Sequence, residues 1–129
     1  MTNILITGCS SGFGRAAALD FARSGHTVVA TMRTPAKGKD LVAEAHAAGL
    51  DLRVMALDVT DEASVSRAIE GAAAVGPLDV VVNNAGIELR GSIEEASAAE
   101  VQAQFDTNVF ACCGCCAPWC RQCATDAPV

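Results

Sequence analysis

The sequence is poor in several residue types, and each shortage excludes a class of function. Its 129 residues include no tyrosine, one tryptophan, and 9 Lys and Arg residues against 15 Asp and Glu residues. Without tyrosine the chain has no phenolic hydroxyl to act as a general acid. A net charge of −6 argues against a nucleic-acid partner, because such binders neutralise phosphates with Lys and Arg. The longest uncharged runs, among them Thr107–Cys120, are shorter than a membrane span, so no membrane association is expected.

The positions of the cysteines and the residues at the N-terminus indicate the cellular compartment of the protein. Six of the seven cysteines lie between Cys112 and Cys123, and Cys9 stands alone, which is not the spacing of a disulfide framework. Residues 1–3 lead directly into an apolar segment with no basic stretch before it, so no signal or transit peptide is expected. The sequence therefore predicts a cytoplasmic protein in a reducing compartment. Its 51% hydrophobic content predicts one compact domain.

Strand-like and helix-like patterns alternate along the first 110 residues. Short apolar segments at residues 3–7, 26–31, 52–57 and 78–82 are typical of buried strands. An amphipathic segment follows each one, and Ser97 with Glu100 forms a capping-box pattern that starts the fourth helix near Ala98. This alternation predicts an α/β fold, with a parallel sheet covered by helices on both faces. The residues expected to face inward are Phe13, Ala17 and Phe21 in the first helix, Val65, Ala68, Ile69 and Ala72 in the third, and Val101 and Phe105 in the fourth.

A glycine-rich segment with the sequence TGCSSGFG, residues 7–14, lies between the first strand and the first helix. Glycines there let the backbone turn sharply and approach a ligand, and the N–H groups at a helix start attract phosphate. Asp58 follows the third strand, and the segment N-N-A-G at residues 83–86 follows the fourth. All three features thus lie at the carboxyl ends of strands, where open parallel sheets bind ligands.

With these motifs in this order, the chain closely resembles the short-chain dehydrogenase/reductase family. The hallmarks of that family are T-G-x-x-x-G-x-G after the first strand, an acidic residue after the third and N-N-A-G after the fourth, and the resemblance covers residues 1–110. It implies a Rossmann-type doubly wound parallel sheet, here incomplete, with four strands in the order 3-2-1-4 and with residues 1–110 as a partial dinucleotide-binding domain. It also implies an oxidoreductase that moves a hydride between a nicotinamide cofactor and a small-molecule carbonyl or alcohol.

The resemblance carries over to individual positions. It implies that the cofactor's phosphates are held by Gly8, Ser10, Ser11, Gly12, Phe13 and Gly14, the adenine by Asp58 and Val59, and the ribose and nicotinamide by a floor of Asn83, Ala85 and Gly86. Structural alternatives stay open at two of these positions. Asn83 could instead tie neighbouring strands together, and Asp58 could instead cap a loop.

Arg33 indicates whether the nucleotide carries a phosphate on its ribose 2′-oxygen. About twenty residues after such a glycine loop, an acidic side chain would bind a ribose 2′-hydroxyl, whereas an arginine suits a 2′-phosphate. The sequence therefore favours NADP over NAD. The alternative is an arginine on a solvated strand end, and Arg15 is the one further basic residue close to the glycine loop in sequence.

The catalytic residues of the family are largely missing. Members use a Tyr as proton donor, a Lys four residues later, a Ser that orients the substrate oxygen, and an Asn that holds a water in the proton relay. Asn108 matches that Asn, but the chain has no Tyr, its lysines are Lys37 and Lys39 alone, and the strand that would carry the Ser is not present. The sequence thus predicts that the chain as written is inactive. The alternative to an enzyme is a nucleotide-binding fragment or gene remnant without activity.

The cysteine-rich segment at residues 111–129 departs from the family, and three interpretations of it compete. The spacing Cys113-x-x-Cys116, repeated by Cys120-x-x-Cys123, suits a metal or redox site. In the second interpretation, the cysteines at 112, 113, 116, 120 and 123 are small hydrophobes on one helical stripe. Pro118 counts against this second interpretation, because a proline should break the helix.

The third interpretation is a one-base slip in the message after Phe110. Cys codons begin with TG and the Trp codon is TGG, so each becomes NTG in the neighbouring frame and encodes Leu, Val or Met. Apolar residues would then stand at 112, 113, 115, 116, 119, 120 and 123, which is an amphipathic helical pattern. We favour this interpretation, which makes residues 111–129 an aberrant tail with no metal site.

Overall fold

The structure is a computed structural model that describes the backbone of residues 1–126 and the side chains of residues 1–120. The strands are β1 (Asn3–Ile6), β2 (Thr27–Met32), β3 (Leu52–Ala56) and β4 (Val80–Val82). The helices are α1 (Gly12–Arg23), α2 (Lys39–Ala47), α3 (Glu62–Ala73), α4 (Ala98–Phe105) and α5 (Ala111–Asp126). A short 3₁₀ turn, Pro35–Gly38, precedes α2, and a π-helical segment, Asp106–Phe110, joins α4 to α5. Among the described helices, none combines the length and hydropathy that a membrane crossing demands.

The four strands form one parallel sheet in the order β3-β2-β1-β4, which confirms the predicted fold class and strand order. β1 lies inside the sheet, with Ile4 paired to Val28 on one side and to Val80 on the other. Because the strands are parallel, their carboxyl ends meet at one edge of the sheet. The segments that follow β1, β2, β3 and β4 are therefore neighbours in space.

Helices cover both faces of the sheet, as predicted for a doubly wound fold. Successive side chains of a strand point to opposite faces, so β1 contributes to two cores. Ile4 and Ile6 pack with α1 and α2, whereas Leu5 packs with α3 and α5. The predicted inward residues of α3 are confirmed, since Val65, Ala68, Ile69 and Ala72 are all buried.

The predicted inward face of α1 is wrong. Phe13 is 89% exposed and Phe21 is 37% exposed, and Ala17 is only partly buried, while the buried residues of the helix are Gly14, Ala18, Leu19 and Ala22. The inward line thus lies one residue further along, at 14, 18 and 22. Small side chains on that line let α1 lie close to the sheet, and this close packing decides the helix orientation more than the size of the apolar residues does.

The predicted inward face of α4 is also wrong, although its start is confirmed. Ser97 accepts a hydrogen bond from the Glu100 N–H, and the Glu100 carboxylate accepts one from the Ser97 N–H, as a capping box requires. Val101 is 41% exposed and Phe105 is 51% exposed, and no residue of α4 is buried. Within the described chain, the contacts of α4 are mainly with the π-helical segment, so its apolar side stays exposed.

The expectation that Pro118 breaks the helix is wrong as well. α5 continues through Pro118 from Ala111 to Asp126. Contacts on both sides of the proline hold it in place: Cys115 is buried in the core shared with α3, and the Trp119 Nε1–H donates to the Leu78 carbonyl at 2.9 Å. Tertiary packing therefore overrides the helix-breaking tendency of proline at this position.

The cysteine stripe assigned from the sequence is not the buried one. Ala111 and Cys115 are buried, and Trp119 is half-buried, as are Cys112 and Cys116 of the assigned stripe, whereas Cys113 and Cys120 are exposed. The inward line of α5 is therefore 111, 115 and 119, at four-residue spacing. The side chain of Cys123 lies outside the described residues. Within the described part, no three His, Cys, Asp or Glu side chains stand close enough together to hold a metal ion.

Candidate functional site

A cleft of about 320 Å³ opens at the carboxyl edge of the sheet, among the segments that follow all four strands. Its size is within the usual range for a small-molecule site. The sequence-predicted residues that line it are Gly8, Ser10, Ser11, Phe13, Arg33, Asp58, Val59, Ala85 and Gly86. The predicted residues that do not line it are Gly12, Gly14, Asn83 and Asn108. The lining residues that sequence reasoning did not assign are Met32, Leu57, Thr60, Asn84, Ile87 and Thr107.

Two glycines permit the close backbone packing under this cleft. Gly8 has a φ of +73°, and a Cβ added to it would lie 2.7 Å from the Ala85 Cα. A Cβ added to Gly14 would overlap both the Gly8 carbonyl and the Asn84 side-chain amide. A residue with a side chain at either position would push the glycine turn away from the segment after β4. Gly8 and Gly14 therefore shape the site from beneath, and Gly14 does so without lining the cleft.

The start of α1 has no side-chain cap. Ser11 occupies the N-cap position, yet its side chain makes no capping hydrogen bond, and the first turn carries no acidic residue. The first N–H groups of a helix have no partner within the helix. Since Ser10, Ser11 and Phe13 all line the cleft, these donors and the positive end of the helix dipole stand at its wall. The arrangement can receive an anion there.

Thr7 and Asn84 lock the segment after β4 to the end of β1. The Thr7 hydroxyl oxygen accepts hydrogen bonds from the N–H groups of Asn84, at 3.0 Å, and Ala85, at 2.9 Å. The Asn84 Nδ2 donates to the carbonyls of Thr7 and Gly8, at 2.9 and 3.1 Å. The tie between strands that we considered for Asn83 is thus made by Asn84. Asn83 is exposed, and its Nδ2 lies 3.3 Å from the Cys116 Sγ.

Asp58 lies in the cleft wall as an ionised carboxylate. The Oδ1 of Asp58 accepts hydrogen bonds from the Thr60 hydroxyl at 2.7 Å and from the Thr60 N–H at 3.0 Å. These two bonds hold the pKa of Asp58 below its ordinary value. Partial burial raises this pKa and so opposes the shift, whereas the nearby positive charge of Arg33 lowers it further. Asp58 therefore does organise its own loop, as the structural alternative held. Within the described residues its Oδ2 has no hydrogen-bond partner and is left for a donor.

The two arginines considered for a phosphate differ in their surroundings. Arg33 is exposed and lines the cleft. Arg15 does not line the cleft, because its Nη2 is 2.7 Å from the Glu44 Oε2 in an ion pair between α1 and α2. Arg23 binds the other oxygen of the same carboxylate at 2.9 Å. Arg15 is thus committed to the packing of two helices, and Arg33 is the arginine that faces the site.

Asn108 fixes the loop that follows β4. Its Oδ1 accepts a hydrogen bond from the Ile87 N–H, and its Nδ2 donates to the Ile87 carbonyl, both at 2.8 Å. Asn108 lies in the π-helical segment, where the wider turn changes the direction of the side chains; such segments are frequent at functional sites. A Cβ at Gly86 would lie 3.4 Å from the Asn108 Oδ1, which is an ordinary contact distance, so the Asn108 side chain lies directly beside Gly86. The side chain therefore positions the loop at the cleft, and its neighbour Thr107 lines it.

This geometry, a glycine turn and an uncapped helix at the carboxyl edge of a parallel sheet, agrees with the comparison to known proteins. Residues 2–126 match the short chain dehydrogenase family model, and the chain belongs to that family. The match includes the cysteine-rich helix. Members of this family are oxidoreductases that use a nicotinamide dinucleotide.

Individual relatives support the same assignment. An uncharacterized oxidoreductase of Bacillus subtilis, YusZ, is 44% identical over 108 residues, covering 82% of this chain and 38% of that protein. Human retinol dehydrogenase 8 is 43% identical over 111 residues, covering 83% of this chain and 35% of that protein. A solved short chain dehydrogenase from Burkholderia cenocepacia, in complex with NADP, is 32% identical with a TM-score of 0.85, covering 93% of this chain and 50% of that one. The chain thus spans well under half the length of these two curated relatives.

Proposed function

We propose that this chain binds NADP(H) in the cleft and provides the cofactor-binding part of a short-chain dehydrogenase. The single observation on which the proposal rests is the uncapped start of α1, held against the segment after β4 by two glycines that tolerate no side chain. A backbone of this shape brings several N–H donors to one point without a competing carboxylate. A pyrophosphate is the ligand that such an arrangement suits best.

The other predicted residues fit the remaining parts of a dinucleotide. Asp58, with its free Oδ2, and Val59 would hold the adenine at the end of β3. Ala85 and Gly86 would form the floor beside the ribose and nicotinamide at the end of β4, and Asn83, which does not line the cleft, would support this floor from the strand end. Residues 1–110 would act together as the dinucleotide-binding unit. When bound, the nicotinamide supplies or accepts a hydride, and the side chains named here bind and orient it.

Arg33 supports a preference for NADP(H) over NAD(H). It lines the cleft at the end of β2, and a guanidinium matches the geometry and charge of a 2′-phosphate. The solved relative from Burkholderia cenocepacia, at 32% identity, is described in complex with NADP. The six cysteines with described surroundings are free thiols, which fits the reducing, cytoplasmic location that we propose for this protein.

We expect these 129 residues by themselves to bind the cofactor without catalysing hydride transfer. The family's proton donor is a Tyr, and the chain has none. Asn108 would support the site by holding the Ile87 backbone, and in the intact family this position belongs to the proton relay. A small-molecule carbonyl or alcohol would be the substrate of an intact member. Incubation of the pure protein with NADPH and a panel of aldehydes and ketones is expected to give no turnover; measurable oxidation of NADPH would contradict this part of the proposal.

We also propose that residues 111–129 derive from a shifted reading frame. Cys115 and Trp119 lie on the inward side of α5, where a one-base shift would give Leu, Val or Met instead. An apolar residue at both places would suit the same core. Sequencing the gene around codon 110 tests this: an unshifted frame with independently confirmed bases would rule it out.

Cofactor binding is tested by titrating the protein with NADPH in a calorimeter. Two glycine-to-alanine variants are compared with the wild type, one in the cleft and one outside it as a control. In Gly8→Ala, the new Cβ would meet the Ala85 backbone at 2.7 Å, so the Kd is expected to rise at least about tenfold. In Gly114→Ala, the new Cβ has no neighbour within 4 Å, so the Kd should stay at the wild-type value. The proposal is overturned if folded wild-type protein does not bind NADPH, or if folded Gly8→Ala binds it equally well.

A second variant pair removes charge without adding volume. Asp58→Asn takes the carboxylate from the cleft wall and is expected to weaken NADPH binding several-fold. Asp40→Asn makes the same change on the exposed first turn of α2, away from the cleft, and should leave the Kd unchanged. This pair keeps the test valid if Gly8→Ala fails to fold. Equal Kd values for the two Asn variants would argue against an adenine site at Asp58.

A further inference from the structure

Two half-buried cysteines, Cys112 and Cys116, lie one helical turn apart on the same flank of α5. Each directly follows a buried residue of the inward line, so the two side chains lie beside the core and not in it. Cys113 and Cys120 belong to the same cysteine stripe but are exposed. Cys112 and Cys116 are therefore the two thiols of the stripe that the fold places partly out of water.

A side chain from the sheet contacts one of these thiols. The Asn83 Nδ2, at the carboxyl end of β4, donates a hydrogen bond to the Cys116 Sγ at 3.3 Å. The sulfur of a neutral thiol is a weak acceptor, whereas a negatively charged sulfur accepts such a bond more strongly. Groups that bind metals are commonly held by a second hydrogen-bonding partner of this kind. Asn83 thus gives Cys116 the surroundings of a metal-binding sulfur.

The spacing of the two cysteines suits a bridging ion better than a disulfide. Side chains four residues apart on a helix have Cβ atoms about 5–6 Å apart, whereas a disulfide needs Cβ atoms about 3.5–4.5 Å apart. A direct S–S bond would therefore distort the helix. Two metal–sulfur bonds of about 2.3 Å each hold the sulfurs up to about 4.6 Å apart, which side chains at this spacing can reach.

The number of available ligands restricts the kind of ion. Among the side chains that the structure describes, no three of His, Cys, Asp or Glu stand close enough together to hold a metal ion. Structural Zn²⁺ takes four ligands, so a pair of thiols does not suit it. Thiolates are soft ligands that select Cu(I), an ion that two sulfurs are enough to bind.

We propose that Cys112 and Cys116 form a two-thiolate site for a soft monovalent metal ion, Cu(I), with Asn83 as the positioning residue for the Cys116 sulfur. On binding, each thiol loses its proton and each sulfur donates an electron pair to the ion, so the complex carries one negative charge. The Asn83 N–H lies against the sulfur that shares this charge.

This site is independent of the proposed nucleotide site. It also differs from the paired C-x-x-C spacing considered from the sequence, because it needs only two thiols one helical turn apart. A one-base shift in the message would replace both cysteines with apolar residues. The site is therefore a property of the chain as written.

The first test measures the Kd for Cu(I) by competition with the chromophoric chelator bicinchoninate, in the absence of oxygen and of thiol reductants. Reduced wild-type protein is expected to bind one tight equivalent. Cys112→Ser and Cys116→Ser should each weaken it at least about a hundredfold, because each removes one of two ligands. Cys113→Ser and Cys120→Ser make the same change at exposed positions of the stripe and should bind as the wild type does.

The role of Asn83 is tested separately. Asn83→Ala is expected to weaken Cu(I) binding about tenfold, as the loss of a ligand's hydrogen-bonding partner commonly does. It should also shift the ultraviolet thiolate-to-copper charge-transfer band, because the hydrogen bond to the sulfur is gone. Asn83→Gln keeps the amide donor and should recover most of the affinity. An Asn83→Ala variant with the wild-type Kd and band would overturn the positioning role.

The pair assignment fails if folded wild-type protein binds no Cu(I), if Cys112→Ser or Cys116→Ser keeps the wild-type Kd, or if either exposed control loses as much. Excess Zn²⁺ should not displace the Cu(I), and displacement would contradict a site with two ligands. Circular dichroism checks that each variant is folded.

A measurement on the wild type answers the same question if a variant does not fold. Protein loaded with Cu(I) is treated with N-ethylmaleimide, and the alkylated cysteines are identified by mass spectrometry. Cys112 and Cys116 should be protected, relative to protein without the ion, while Cys113 and Cys120 react in both samples. Protection of a different pair, or of none, would overturn the proposal.

Discussion

The two parts of the chain on either side of residue 80 use the same kinds of apolar residue with different results. In residues 1–79, every residue of β2 is buried, and each of α1, α2 and α3 buries at least two residues. In residues 80–120, no residue of β4 or α4 is buried. The exposed large apolar residues of this second part are Val80, Ile87, Ile93, Val101, Phe105, Val109 and Phe110.

The difference shows that an apolar pattern indicates what an element can bury, not whether a partner is present. α4 has an apolar side and a complete capping box, yet its contacts in the described structure are mainly with the π-helical segment. α5 lies in the same part of the chain and does reach the sheet, through Cys115 and Trp119. The second part is therefore joined to the sheet through β4 and α5 and leaves α4 uncovered, while the first part packs over both faces of the sheet.

The largest expected effect on stability is the difference between two isoleucine-to-alanine substitutions, one in each part of the chain. Ile6→Ala removes a side chain with 0% exposure from the centre of the sheet and should lower the free energy of unfolding by about 2–5 kcal/mol. Ile93→Ala makes the same change at a residue that is 88% exposed and should alter it by less than about 0.5 kcal/mol. Urea unfolding followed by circular dichroism measures both. A similar loss of unfolding free energy in the two variants would mean that Ile93 is packed in the folded protein and is not exposed.

Cysteine-to-serine substitutions on α5 compare a buried position with an exposed one within the second part. Cys115→Ser places a hydroxyl in an apolar core and should cost about 1–3 kcal/mol. Cys113→Ser makes the same change at an exposed position of the same helix and should be nearly neutral. Because Trp119 lies beside the buried site, the shift in its fluorescence on unfolding reports the stability of both variants. Equal stability of the two would show that α5 does not pack on the sheet through Cys115.

Alkaline pH should destabilise both parts by the same mechanism. Burial raises the pKa of the Cys9 thiol and of the Cys115 thiol from 9.0 to about 11 each. Between these values the unfolded chain has lost a proton that the folded chain retains, so stability is constant below about pH 9 and falls as the pH rises to about 11. At pH 10 each thiol should account for about 1 kcal/mol.

Cysteine variants identify the source of this pH dependence. Urea unfolding at pH 8, 9, 10 and 11 in the presence of a reductant gives the profile. Cys9→Ala and Cys115→Ala should each flatten it, whereas Cys113→Ala should leave it as in the wild type. A wild-type profile without a fall above pH 9 would contradict the burial of both thiols.

The smallest effect is expected at the cap of α4. Ser97→Ala removes the side chain that accepts from the Glu100 N–H and should cost about 0.5–1 kcal/mol of local helix stability. Ser92→Ala serves as the control, because its side chain makes no hydrogen bond within the described residues. Amide hydrogen exchange in residues 98–105 detects the change. Unchanged exchange in Ser97→Ala would mean that packing, and not the cap, holds this helix.

The sequence predicted the fold well because its signals there are local and repeated. The first, third and fourth strand segments are followed by a glycine turn, Asp58 and the N-N-A-G motif, and the alternation of strands with helices leaves few possible topologies. Most of the residues assigned to the site line one cleft for the same reason, since they follow parallel strands. Whether those residues bind NADP stays a prediction.

The features that could not be predicted depend on contacts between distant segments. The inward line of α1 follows from its close packing on the sheet, and Pro118 is tolerated because Cys115 and Trp119 are held on both sides of it. Asn84 was missed in favour of Asn83, although the two are adjacent and alike in type. Only the position of Thr7 beneath the loop shows which of the two amides ties the strands.

The most direct test of the account is a titration of ¹⁵N-labelled protein with NADP⁺, followed by the backbone amide signals. The account predicts progressive shifts for Gly8, Ser10, Ser11 and Phe13, for Asp58, and for the segment after β4. The amides of Gly25 and Gly49, which also have positive φ but lie outside the cleft, should stay in place. A well-folded sample whose glycine-turn signals do not move, while other regions shift or nothing shifts, would contradict a dinucleotide site at the start of α1.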